Sequence, residues 1–239
     1  MTALADLKVK IFADGADVRG MVEMYARPYI KGFTTNPTLM RKAGITDYRG
    51  FAREVVAAIP DRPISFEVFS DDFAEMERQA REIASWGKNV NVKIPVSNTR
   101  GEPAYKLIRA LAHGGIQLNV TAVFTLDQVW SSCLALKGGA PSVVSVFAGR
   151  IADAGFDPVP HMRAALAICR SVDRSIELLW ASPREILNVV QADEIGVDII
   201  TVTEAIRTKL NLLGKDLGEF SRETVLMFKR DGEAAGFRL

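Results

Sequence analysis

Apolar residues along the chain gather into short β-rich runs at residues 9–14, 32–35, 64–69, 90–94, 116–121, 143–147, 176–180 and 197–202. Each run is followed by a stretch in which apolar positions return with helical spacing. Residues 71–86, for example, put Phe73, Met76, Ala80 and Ile83 on one helical face, and residues 102–112 and 158–171 carry the same period. Strict alternation of strand and helix implies a parallel sheet. Eight such units in 239 residues predict a closed (β/α)8 TIM barrel as a single catalytic domain over residues 1–213, with a doubly wound open sheet as the alternative. No linker, low-complexity tract or longer repeat interrupts it. Residues 214–239 form a tail with a predicted helix over 221–235, whose Val225, Met227 and Phe228 should pack on the barrel or on a neighbouring subunit, so a homo-oligomer is expected.

Alternation within the strands sorts side chains by face. In Val90-Asn91-Val92-Lys93-Ile94 the apolar set meets the helices, and Asn91 and Lys93 point into the barrel. Lys93 then lies near the C-terminal end of its strand, where barrel enzymes hold their catalytic groups. The same parity directs Asp14, Glu67, Asn119, Thr121, Ser145 and Phe147 to that end. A lysine desolvated among apolar walls is a better nucleophile toward carbonyls, because burial disfavours its ammonium form. The plainer reading is a lysine salt-bridged inside the barrel, with Asp14 and Glu67 as ordinary capping or ion-pairing groups and Asn119 and Thr121 as satisfied interior polar residues.

A second cluster concerns anions. Ser182-Pro183-Arg184-Glu185 follows the seventh strand and has the form of a capping box opening a helix. Helix starts after the late strands are the phosphate sites of such barrels, and Arg184, with Arg150 after the sixth strand, would supply cations.

Composition narrows the partners. With 30 Lys+Arg against 29 Asp+Glu there is no general field to draw nucleic acid or an anionic membrane, and neither is expected as a partner. The N-terminal MTALADLKVKIFADG lacks the form of a secretory leader, and no apolar run reaches membrane-spanning length, so a cytoplasmic protein is expected. Cys133 and Cys169 are expected to be reduced and packed, without the close partner of a zinc or redox site. His113 and His161 stand singly and no Gly-rich nucleotide fingerprint follows a strand, so no metal or cofactor is expected.

Several segments, in order and at barrel-strand spacing, resemble the transaldolase family, which includes the fructose-6-phosphate aldolases. They are Ala13-Asp14-Gly15-Ala16, Thr34-Thr35-Asn36-Pro37-Thr38-Leu39, Val92-Lys93-Ile94-Pro95 and Asn119-Val120-Thr121-Ala122-Val123-Phe124-Thr125 with Gln128. Val144 through Asp153 and Ala181-Ser182-Pro183-Arg184 extend the likeness across most of the barrel. The resemblance implies transfer of a dihydroxyacetone unit between sugar phosphates, as in the pentose phosphate pathway. Lys93 would form the Schiff base, Asp14 would move protons at the breaking and forming bond, and Glu67 would act with a water on carbinolamine dehydration. Asn36, Asn119, Thr121 and Ser145 would hold the dihydroxyacetone unit and that water, and Arg150, Ser182 and Arg184 the phosphate. Glu67 and Phe147 match the transferase branch, where the aldolase branch tends to carry Gln and Tyr. The chain departs from the family pattern at Gly15, which replaces a small hydroxyl residue, at Val146 in place of a proline, and in a longer loop after Lys93. An aldolase releasing free dihydroxyacetone, a transferase for an unusual sugar, and a silent sugar-phosphate-binding barrel are the alternatives.

Overall fold

The computed structural model describes residues 4–238; Met1–Ala3, at the start of the stretch weighed above as a leader, and Leu239 lie outside the described residues. Eight parallel strands close in sequence order: β1 Lys10–Asp14, β2 Ile30–Thr34, β3 Ile64–Glu67, β4 Val90–Pro95, β5 Leu118–Val123, β6 Ser142–Val146, β7 Ile176–Trp180 and β8 Ile199–Val202. Closure comes from β8 pairing with β1, Ile199 beside Lys10 through Val202 beside Ala13. The expected barrel is therefore present, with strand ends moved by no more than two residues; Val68 and Phe69 lie beyond β3, and Phe147 follows β6.

The helices are α1 Val18–Tyr25, α2 Pro37–Lys42, α3 Tyr48–Ala58, α4 Phe73–Ala84, α5 Tyr105–His113, α6 Leu126–Leu136, α7 Ala148–Asp153, α8 Pro158–Val172, α9 Leu187–Ile195, α10 Glu204–Arg207 and α11 Leu217–Ala234. Local chemistry starts and stops them. In α4 the Asp72 carboxylate accepts the Glu75 N–H, and Met76, Ala80 and Ile83 are then buried against the sheet. Each such large apolar side chain contributes roughly 1.5–3 kcal/mol on leaving water. A full capping box forms at Thr125 and Gln128, opening α6. The box expected at Ser182–Glu185 does not form. Ser182 takes a left-handed backbone (φ 59°), and α9 begins only at Leu187. The cause is a close approach: a Cβ on Gly149 would fall 1.5 Å from the Ser182 carbonyl oxygen, so the chain after β7 turns against α7 before any helix starts.

Two regions share the buried mass. Outward-facing strand residues such as Val90, Val92 and Ile94 pack under the helices, while inside the barrel Phe12, Val143, Leu179, Ala181 and Ile199 form a smaller apolar plug. Phe12 fills the interior because Gly32 across from it has no side chain; a Cβ there would lie 2.5 Å from the ring. Cys133 and Cys169, expected to be reduced and packed, are free and buried, and they are each other's neighbours between α6 and α8 with Sγ atoms 3.6 Å apart. The contact between the thiols, and burial, push the Cys133 pKa up, which keeps it an unreactive thiol. Among the described residues no helix is long and apolar enough to cross a membrane.

The tail helix begins one turn earlier than expected, capped by Asp216, and none of its residues is buried. Leu217, Phe220, Val225, Leu226, Met227 and Phe228 are all exposed.

Gly32→Ala is expected to lower stability by about 1–3 kcal/mol, the cost of overpacking, measured as a reduced urea midpoint. Adding Phe12→Leu should recover part of the loss, and an unchanged midpoint in the single variant would refute this account of the barrel interior.

Candidate active site

At the C-terminal mouth of the barrel a cavity of about 540 Å³ is lined by strand ends from all around the sheet. All eleven residues singled out from the sequence line it: Asp14, Asn36, Glu67, Lys93, Asn119, Thr121, Ser145, Phe147, Arg150, Ser182 and Arg184.

Lys93 is 7% exposed, and its surroundings are polar where apolar walls were expected. Its Nζ donates to the Thr35 carbonyl at 2.9 Å and to Glu67 Oε2 at 3.1 Å. The register explains the pair, since β3 and β4 place Glu67 directly beside Lys93. A buried charge of this kind is tolerable only when paired and hydrogen-bonded, as here.

Asp14 ends β1 and faces the same space. Thr34 Oγ1 donates to Oδ1 and Asn36 Nδ2 donates to Oδ2, each at 3.0 Å. Asn36 cannot rotate freely, because its Oδ1 accepts the Leu39 N–H at 2.9 Å as the cap of α2, with Pro37 at the first helical position. The Asn-Pro pair thus starts a helix and aims an amide at Asp14 in one step. Burial raises the Asp14 pKa to about 6, against the opposing pull of Lys93 and the two hydrogen bonds, with Glu67 adding a further upward push. A carboxyl with that value exchanges protons near neutrality.

A second polar row crosses the barrel floor. Ser145 Oγ donates to Asn119 Oδ1 at 2.6 Å, and Asn119 Nδ2 donates to Ser65 Oγ at 3.1 Å, so both ends of the amide are committed. Thr121 sits one step above on β5, and Ala122 after it takes a left-handed backbone (φ 58°) where the β5–β6 register shifts. This conformation is costly for a non-glycine residue and turns the strand end at the cavity wall.

The rim carries the cations. The Arg150 guanidinium stands 5.8 Å from the centre of the Phe147 ring, which in turn packs on Phe124. Arg184 makes a two-point ion pair with Asp153 of α7 (2.8 and 2.5 Å) and donates to the Ser182 carbonyl at 3.0 Å. Asn188 Oδ1 accepts the N–H of Arg184 and of Glu185, which secures the segment in place of the expected helix start.

Sequence reasoning missed Thr34 and Thr201 as lining residues, although parity on β2 and β8 would have pointed both inward; their hydroxyls meet at 2.5 Å. It also missed Asp153, whose role depends on how α7 lies against the loop after β7, for which no local signal exists. Among the described residues no cluster of His, Cys, Asp or Glu is suited to a metal.

Fold and site together define a (β/α)8 barrel with a buried lysine–carboxylate pair and a basic rim at its C-terminal mouth. Residues 11–236 match the family described as Transaldolase/Fructose-6-phosphate aldolase, and the chain belongs to that family. It is 35% identical over 194 residues to a "Probable transaldolase" of Dehalococcoides mccartyi, covering 81% of this chain and 86% of the relative. It is 34% identical over 231 residues to a "Probable transaldolase" of Thermoanaerobacter sp., covering 97% of this chain and all (100%) of that one. Solved structures of similar shape include a putative lyase/mutase from Burkholderia cenocepacia (TM-score 0.59, 15% identity, 94% of this chain and 87% of that one). Another is 3-hexulose-6-phosphate synthase (TM-score 0.56, 16% identity, 84% and 92%). At such identities the likeness shows the fold alone.

A carboxyl-carbon NMR titration of the unliganded protein should give Asp14 a midpoint of about 6. Asn36→Ala should move it higher, because a hydrogen bond to the carboxylate is lost. Since this folded pKa lies above the unfolded value, the group's contribution to stability is largest in acid and is lost as pH rises from 3.8 toward about 6. A midpoint near 4 would contradict the proposed environment.

Proposed function

We propose that this protein is a transaldolase that moves a dihydroxyacetone unit from a ketose phosphate, of the fructose 6-phosphate or sedoheptulose 7-phosphate type, to an aldose phosphate through a Schiff base on Lys93. The observation that carries the reading is the placement of Lys93 Nζ, buried at 3.1 Å from Glu67, in a cavity that Asp14 faces and that Arg150 and Arg184 line.

The steps follow from these groups. The Lys93 amine adds to the C2 carbonyl, and Glu67 assists loss of the carbinolamine hydroxyl as water, leaving a protonated imine. Asp14 takes the proton of the C4 hydroxyl. The C3–C4 bond breaks, and its electron pair moves into the imine to form an enamine. The aldose phosphate leaves, an acceptor aldehyde enters, and the enamine carbon attacks it while Asp14 returns the proton to the new hydroxyl. Addition of water across the imine releases the new ketose and free lysine. Asn119 and Ser145, with fixed hydrogen-bond directions, would hold the three-carbon unit, and Arg150, Ser182 and Arg184 the phosphate. No metal or cofactor enters the scheme. Glu67 and Phe147 favour transfer over release of free dihydroxyacetone.

Assembly is part of the proposal. The exposed apolar side chains of α11 support its packing against a second copy of the chain.

Borohydride added with fructose 6-phosphate should leave a three-carbon adduct on Lys93 in the peptide map, and none in Lys93→Met. Product analysis with and without erythrose 4-phosphate separates transfer from free aldol cleavage, and an unmodified, folded protein would sink the reading. Arg184→Ala should raise KM for the phosphorylated donor by roughly ten- to a hundredfold, the loss of a charged hydrogen bond, with little change in kcat. Phe220→Asp with Phe228→Asp should lower the mass seen by light scattering; a parent protein that is already monomeric would refute the assembly.

A further inference from the structure

The ladder between β2 and β3 stops short, and what happens at its last rung decides where Lys93 can bind. Phe33 N–H donates to the Pro63 carbonyl and Thr35 N–H to the Ser65 carbonyl. In a continued parallel ladder the next bond would run from the Glu67 N–H to the Thr35 carbonyl, and the one after from residue 37 to the Glu67 carbonyl. Neither is made. Residue 37 is a proline with no N–H to give. The Glu67 N–H goes to the hydroxyl of Tyr48 at 2.8 Å, and that hydroxyl donates to the Glu67 carbonyl at 3.1 Å. The Thr35 carbonyl is left over, and it is the one that accepts Lys93 Nζ at 2.9 Å.

We infer that Tyr48 is a positioning residue for the Lys93–Glu67 pair: its hydroxyl takes the Glu67 N–H out of the ladder, which frees the Thr35 carbonyl for Lys93 and holds the Glu67 backbone at both its polar atoms. The phenol suits the task. One oxygen accepts and donates at the same residue, which neither a carboxylate nor an ammonium group does. Its ring is fixed from three sides by edge contacts with Phe66, Phe69 and Trp86, at centroid distances of 6.1, 4.7 and 5.6 Å. Burial pushes the phenol pKa up, so the proton that bonds the Glu67 carbonyl stays in place. Tyr48 opens α3 immediately after its cap Asp47, so the hydroxyl reaches β3 from outside the barrel, and Tyr48 does not line the cavity. The residue thereby links the start of a peripheral helix to the reacting amine.

The inference rests on the proposed Schiff-base chemistry, and its test keeps the two apart. Imine formation is followed by borohydride trapping in the parent, Tyr48→Phe, Glu67→Gln and the double variant. Tyr48→Phe is expected to slow trapping about tenfold, the scale of one hydrogen bond, with KM for the donor unchanged. In the Glu67→Gln background the same substitution should cost no more than about twofold, since the pair is already broken. Effects that multiply across the cycle overturn the inference, as does a Tyr48→Phe protein that traps as fast as the parent. Phe51→Leu disturbs the same aromatic cluster through its edge contact with Phe66 and has no ring contact with Tyr48, so it should leave trapping unchanged; a tenfold loss there would assign the effect to packing and likewise overturn it. If the parent forms no imine at all, the Schiff-base reading fails, and the crystal structure of Tyr48→Phe still decides the positioning role. Glu67 N–H bonded to the Thr35 carbonyl, with Lys93 displaced from it, supports the role; Lys93 unmoved refutes it.

Discussion

A closed parallel barrel sends half of every strand's side chains into a space that water does not fill freely, and the rest of this structure follows from how that space is occupied. On β1 and β6–β8 part of the answer is apolar, as Phe12 crosses the interior over Gly32 and packs with Val143, Leu179 and Ile199, while Asp14, Ser145 and Thr201 on the same strands are polar. On the side of β2–β5 the inward positions are polar, Thr34, Ser65, Glu67, Lys93, Asn119 and Thr121, and burial there is tolerated because the groups bond one another. The two kinds of filling meet at the mouth, where Leu179 and Ala181 line the cavity together with the hydrogen-bonded groups.

Polar residues in such a place act as units. Lys93 and Glu67 offset each other's desolvation, so removing either leaves a charge without its partner. Asn36 caps α2 with its oxygen and steadies Asp14 with its nitrogen, and the Asn119 amide is held at both ends by serines. Orientation fixed in advance in this way is what lets a site discriminate a transition state from a ground state at little reorganisation cost. The rim follows the same logic with fewer constraints. Asp153 holds the Arg184 fork in line with the cavity, and Gly149 allows the segment after β7 to lie against α7 closely enough for that pair to form.

Backbone irregularities fall beside these groups. Ala122 and Ser182, the non-glycine residues with positive φ among those described, sit at the ends of β5 and β7, each at the cavity wall. The early end of the β2–β3 ladder is a third irregularity, and it leaves the Thr35 carbonyl for Lys93. Regular strand geometry would satisfy the backbone at these points and leave nothing facing the cavity.

Much of this was legible in the chain alone, because two periods, two for strands and 3.6 for helices, are local properties. They located eight strands, favoured a barrel over a doubly wound open sheet and turned Asp14, Glu67, Lys93, Asn119, Thr121 and Ser145 inward, and the motif spacing pointed to the family; closure itself is a finding of the structure. Parity would also have turned Thr34 and Thr201 inward, had it been followed onto β2 and β8. The tertiary structure alone decided what depends on contacts between distant elements. Ser182 has every local mark of a helix cap, yet the approach of Gly149 overrides it. Cys133 and Cys169 meet because α6 and α8 pack side by side. Asp153 finds Arg184, and Tyr48 finds Glu67, only through the angles at which α7 and α3 lie on the barrel. Periodicity states which face a side chain takes, while its partner across the fold is set by register and packing angle, which no local pattern carries.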